Sequence, residues 1–215
     1  MYEGTILNKP WLIVAWLFII ELVVILLLVP GDWTGQAIYT EANWMEQQLG
    51  AATADKIMVR AHDWYQWSMI DSGVYAEMQR FLIPSEPERL RSIGMRTMGA
   101  DWFEWVNGRL QAIGLVVEQF YRRIAMLQEW APYMLILLVP AVYDGLMTWQ
   151  IKRTNFDYAS PVLHRYSVRA GVLIVVTLLL CFFLPFALNP FWIPVALMLC
   201  CACACLMFGN LQKRI

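Results

Sequence analysis

The chain reads as an all-α membrane protein: four transmembrane helices, with a helical extramembrane (periplasmic) domain of about 100 residues between the first and second spans. Three observations lead there. Four apolar runs, residues 11–29, 133–149, 168–188 and 191–208, approach the roughly 20 residues that cross a hydrocarbon core at about 1.5 Å per residue. Hydrophobic residues make up 60% of the chain and charged ones 15%, a balance outside the range of soluble domains. Between the first two runs the apolar residues recur with helical rather than strand periodicity.

The first run carries Glu21 near its middle. A carboxylate at that depth is costly to desolvate, so it is expected to be protonated, bonded to a neighbouring helix, or turned toward a polar cavity. The plain reading is a neutral carboxyl bonded to another helix. The sharper one makes it a station on a proton or ion path, with Asp144 of the second run as the other intramembrane acid. Pro30-Gly31-Asp32-Trp33 then gives an interfacial exit with an aromatic anchor. The run exceeds a signal-peptide core, Lys9 is its sole nearby base and no A-x-A site follows, so an uncleaved anchor is expected.

Residues 31–130 fall into several helices. Ile38, Ala42, Met45 and Leu49 form one stripe, ended by Gly50. A second helix fits 54–70, with Thr53 as N-cap and Ile57, Ala61 and Trp64 on one face. A third places Val74, Met78 and Phe81 together before Pro84. Ser85 and Glu88 have capping-box spacing around Pro87. Beyond Gly99 comes a heptad-like seam, Trp102, Val106, Leu110, Ile113, Val117, Phe120, Ile124 and Leu127. Asp101, Glu104, Arg109, Glu118, Arg122 and Arg123 stay off it. No strong breaker separates this seam from the second span, since Pro132 near a boundary kinks rather than ends a helix, so continuous helix is expected over 100–149. A seam that long is expected to pack against copies of the chain, as a homo-oligomer. Trp33 and Trp130 suit the membrane interface, whereas Trp64, Trp67, Trp102 and Trp105 are expected in the extramembrane core.

Asn189-Pro190 marks a tight hairpin between the last two spans. Basic residues in short flanks set the orientation: Lys9, then Lys152, Arg153, Arg165 and Arg169, then Lys213 and Arg214 all belong on the cytoplasmic face. The expected organisation is thus 1–30 flank and first span, 31–130 periplasmic domain, 131–149 second span, 150–167 basic cytoplasmic loop, 168–208 hairpin, and 209–215 tail, with both termini cytoplasmic. None of the five cysteines lies in the extramembrane domain. Cys181 and the cluster Cys200, Cys201, Cys203 and Cys205 lie in the spans, match no zinc spacing, and read as small packing residues.

The motifs of nucleotide, dinucleotide, zinc-peptidase and serine-hydrolase chemistry are missing. No enzyme activity, catalytic residue, metal or cofactor is therefore expected. The compact polar feature is the 150–167 loop with its flanks, where Lys152, Arg153, Phe156, Tyr158, His164, Arg165 and Arg169 mix bases with aromatics, as docking surfaces do. It carries too few charges for direct DNA binding at physiological salt.

Asp144-Gly145-Leu146, then Phe156-Asp157-Tyr158-Ala159-Ser160-Pro161 with His164, resembles the TraJ-like inner-membrane proteins of conjugative plasmids and integrating conjugative elements. The order of parts is similar over the whole chain. The resemblance implies a bacterial inner-membrane protein of conjugative DNA transfer, associated with the coupling ATPase of the type IV secretion machinery. It carries no catalytic residues. Two other readings are open: a proton- or ion-conducting subunit using Glu21 and Asp144, and an exclusion or immunity-type membrane protein acting through the extramembrane helices.

Overall fold

A computed structural model describes residues 10–28, 31–83, 100–155 and 157–211. Every regular element among them is helical: α1 Pro10–Leu28, α2 Gly31–Leu49, α3 Ala51–Tyr65, α4 Val74–Leu82, α5 Ala100–Thr154, α6 Pro161–Phe183 and α7 Trp192–Gly209. The expected capping box at Ser85 and Glu88, Lys9, Lys213, Arg214 and Phe156 of the docking group lie outside the described residues. The chain divides into two compact units, Met1–Ala125 with Phe182–Leu188, and Met126–Cys181 with Asn189–Ile215.

In the first unit α2 ends where expected, at Gly50, whose φ of +83° suits a residue without a Cβ. Its N–H still closes the last turn on the Glu46 carbonyl at 3.1 Å. The chain then re-enters helix at once. Gly50, not Thr53, occupies the N-cap position of α3, because Ala51 is already helical and Thr53 sits inside the first turn. The second helix runs through its expected length, but its last part, Gln66–Asp71, widens to π-helix before Gly73 turns at φ +77° into α4. Ala54, Ile57 and Ala61 are buried, the face expected for α3.

The core of this unit mixes alanines with larger side chains, Met45, Ile57, Leu110 and Phe182. Ala37, Ala54, Ala61 and Ala112 are all 5% exposed or less, and the Tyr65 hydroxyl reaches close to Gly114. Trp64 is half-buried, edge-on to Tyr121 at 6.2 Å, but Trp67, Trp102 and Trp105 are exposed, contrary to the expectation that they fill the core. Burial raises the Tyr65 phenol above its ordinary value, and Tyr75 and Glu118 push the same way, so it stays neutral at physiological pH.

The long helix expected over 100–149 is α5, which continues to Thr154 with Pro132 and Pro140 inside it. In the second unit α6 starts earlier than the apolar run suggests. Ser160 caps it, its Oγ accepting the Leu163 N–H at 3.3 Å, and Pro161 takes the first helical position. Much of the stretch read as a loop is therefore helix. α6 also ends five residues short of the expected 188, because Pro185 lacks an N–H and pushes Leu184 out of the helical region. The Asn189-Pro190 turn is present, with Asn189 Oδ1 accepting the Phe191 N–H at 3.0 Å.

Among the described residues three helices, not the expected four, are long and apolar enough to cross a membrane: α5, α6 and α7. The apolar stretch described within α1 is Leu12–Ile25, part of a helix of 19 residues, Pro10–Leu28.

α5 and α7 meet backbone to backbone at Gly145. A Cβ there would stand 2.6 Å from the Cys205 carbonyl oxygen and 3.0 Å from the Phe208 Cβ. Gly108, on the same helix, has nothing within 4 Å of such a Cβ. Gly145→Ala should therefore destabilise the protein by about 1–3 kcal/mol, as overpacking does, while Gly108→Ala should be neutral or stabilising by about 0.5–1 kcal/mol. Thermal unfolding of the two variants in the same detergent checks the contrast.

Candidate functional site

The densest polar site lies in the first unit. α2 buries Thr34, Ala37, Glu41 and Met45, one helical stripe with an acid in its middle. α5 buries Ala112, Val116, Gln119 and Arg123, a stripe with a base at its end. Both stripes are offset from the most apolar face of their helix. Glu41 and Arg123, exposed by 1% and 0%, meet side-on: Nε to Oε1 at 3.1 Å and Nη2 to Oε2 at 3.0 Å. The remaining donors go to main chain at the end of α6. Nη1 bonds the carbonyls of Phe182 at 3.1 Å and Leu184 at 2.8 Å, and Nη2 bonds that of Phe186. All five guanidinium N–H groups are engaged.

Gln119, one turn before Arg123, donates Nε2 to Glu41 Oε2 at 2.9 Å and to the Phe186 carbonyl at 3.4 Å. Both neighbours are acceptors, which fixes the amide with its nitrogen inward. Where the chain leaves α6 the carbonyls of Phe182, Leu184 and Phe186 have Arg123 as a donor in place of water. Phe120 stacks on Phe183 at 4.3 Å and Phe18 meets that ring edge-on at 4.8 Å, so the pair sits beside aromatic rings. Both carboxylate oxygens and every arginine donor are committed, so the cluster locks α2, α5 and the end of α6 together.

Glu21 belongs to the same unit. Both its oxygens are enclosed and have no hydrogen-bond partner among the described residues. Asp144 belongs to the other unit. It is exposed and accepts a hydrogen bond from Cys205 Sγ at 3.4 Å.

In the second unit the end of α7 is tied down by residues expected to dock a partner. Lys152 Nζ donates to the Gly209 carbonyl at 3.2 Å and to Asn210 Oδ1 at 3.0 Å, and His164 Nδ1 lies 3.0 Å from the Met207 carbonyl. These contacts satisfy helix-end carbonyls and place a cation at the negative end of the helix dipole. The other described members of that group, Arg153, Tyr158, Arg165 and Arg169, are exposed, with Arg153 also lying over the Trp149 ring.

Along α5 the expected seam is unevenly buried. Val106 and Leu110 are buried, Ile113, Val117, Phe120, Ile124 and Leu127 are half-buried, and Trp102 is exposed and stacked on Trp105. The most buried side chains of its second half lie one position earlier, at Ala112, Val116, Gln119 and Arg123. Glu41 and Gln119 were not singled out from the sequence. The available signal was an acid at a core-periodic position of α2 and, on α5, an amide and a base one turn apart.

Among the described residues no group of three His, Cys, Asp or Glu side chains is placed to hold a metal ion. Among known proteins, residues 35–211 match the family model of the IncC plasmid conjugative DNA transfer protein DtrJ-like. The motif resemblance had pointed to the TraJ-like group; the match supports conjugation, under the DtrJ-like heading. No curated protein and no solved structure matches the chain.

The lock gives a direct test. Arg123→Lys keeps the charge but puts three donors on one nitrogen, which cannot serve a carboxylate side-on and three separate carbonyls. A loss of about 2–4 kcal/mol is expected, read as a lowered unfolding midpoint. Unfolding indistinguishable from wild type would mean that the charge alone matters.

Proposed function

Because the chain belongs to the DtrJ-like family of conjugative DNA transfer proteins, we propose that it is a non-enzymatic assembly protein of the bacterial inner membrane within a type IV secretion machine. Its task is to hold the coupling ATPase at the site of DNA delivery. The observation that carries this reading is the family match over most of a chain with three helices long and apolar enough to span a membrane. The surface offered to the ATPase centres on the exposed Arg153 and Tyr158, and the basic character of the segment favours the cytoplasmic face. The helices α2 to α4 and the first half of α5 then face the periplasm.

Self-association belongs to the same proposal. Val106 and Leu110 are covered within one chain, so copies would meet through the exposed Trp102–Trp105 pair, whose rings stack 5.2 Å apart.

Purification of the tagged full-length chain in mild detergent, from cells carrying its conjugative element, tests the partner. The ATPase should co-purify, and Arg153→Glu combined with Tyr158→Ala should reduce its recovery roughly tenfold or more. Undiminished recovery with that double variant would move the contact elsewhere, and recovery of no ATPase beside normal transfer would remove the reading. Glu21→Gln should leave transfer unchanged, whereas an ion path through Glu21 would abolish it.

A further inference from the structure

Within the second unit, α6 and α7 leave between them a groove of about 370 Å³, lined by Ser167, Gly171, Val175, Cys200, Cys203 and Met207 among others. The lining is apolar apart from Ser167 and two cysteines, and the Ser167 hydroxyl is already donated to the Leu163 carbonyl at 2.8 Å. Along α6 the groove extends from Ser167 to Val176, a rise of about 14 Å. That is half of a hydrocarbon core of about 30 Å, the depth of one leaflet. Val172 and Val175 on its rim are 59% and 47% exposed, so it opens sideways. A ligand can enter from the bilayer without parting the helices.

One end of the groove is charged. Arg165 and Arg169, one turn apart on α6, flank the groove residues Ser167 and Val168, are exposed, and have no carboxylate partner among the described residues. The other end, at Val176 and Cys200, is apolar. We infer that this groove binds one anionic phospholipid, one of its acyl chains along α6 and α7 and its phosphate on Arg165 and Arg169. Guanidinium groups suit a phosphodiester, and basic residues at the cytoplasmic end of an interhelical groove are the chemistry that selects acidic headgroups. A packed partner helix would fill the groove but would need an acid of its own at that level to meet the two arginines, whereas a phospholipid carries apolar chain and anion together. The inference rests on the reading that α6 and α7 cross the membrane.

Native mass spectrometry of the full-length protein, exchanged into detergent with equal phosphatidylglycerol and phosphatidylcholine of matched chains, tests it. Wild type should retain one phospholipid, with phosphatidylglycerol favoured roughly tenfold. Arg165→Gln with Arg169→Gln should erase the preference, and Val175→Trp, on the exposed rim, should reduce retention of both lipids while thermal unfolding stays at the wild-type midpoint. Equal retention of the two lipids by wild type, no retention, or a second copy of the chain released by Val175→Trp would overturn the lipid site. A protein extracted by carbonate without detergent would instead remove the membrane reading beneath it.

Discussion

The first unit is organised around one buried ion pair. Arg123 and Glu41 meet in a region lined by alanines and phenylalanines, where an unpaired charge would be costly. Coulombic attraction alone does not justify a fully buried guanidinium, since desolvation offsets much of it. The geometry supplies the remainder. Three donors take the carbonyls of Phe182, Leu184 and Phe186, where the chain leaves α6 around Pro185, so one side chain replaces the water that these main-chain groups would otherwise require. α2, α5 and residues 182–188 are tied to each other through that side chain, with Gln119 bridging the same elements beside it.

This pair also explains which parts of the fold were legible in the sequence. Features that follow from local chemistry were: Gly50 as the stop of α2, Val74, Met78 and Phe81 as one short helix, and the unbroken run of α5. Features that depend on long-range pairing were not. The apolar stripes of α2 and α5 were read from hydrophobicity, which places acids and bases outside by default. Glu41 and Arg123 reverse that rule together, because each is an acceptable core residue only in the presence of the other. Their burial moves the contact faces to Thr34, Ala37 and Glu41 on one helix and to Val116, Gln119 and Arg123 on the other. The tryptophans failed for a related reason. Side-chain volume argues for burial in general, but Met45, Ile57, Leu110 and the alanines occupy the buried positions of these helices, and Trp67, Trp102 and Trp105 fall outside them.

The polar face between α5 and α6 shows a different division of labour. Sequence composition treated its bases as one docking group. The structure splits them: Lys152 and His164 hold the end of α7, and Arg153, Arg165 and Arg169 are exposed. No composition argument separates these roles, because they depend on where the last turn of α7 falls. The split matters for function, since loss of Lys152 would act through folding and loss of Arg153 would not. Membership of a conjugative DNA-transfer family gives the exposed half its significance.

The claim on which this account rests is that Glu41 and Arg123 act as one unit. A double-mutant cycle with Glu41→Gln and Arg123→Met, followed by reversible unfolding in mixed detergent micelles, measures it most directly. The account predicts a coupling energy of at least about 2 kcal/mol, with the double variant less destabilised than the sum of the two singles. Strictly additive effects would show that the two residues are buried side by side without depending on each other, and would contradict it.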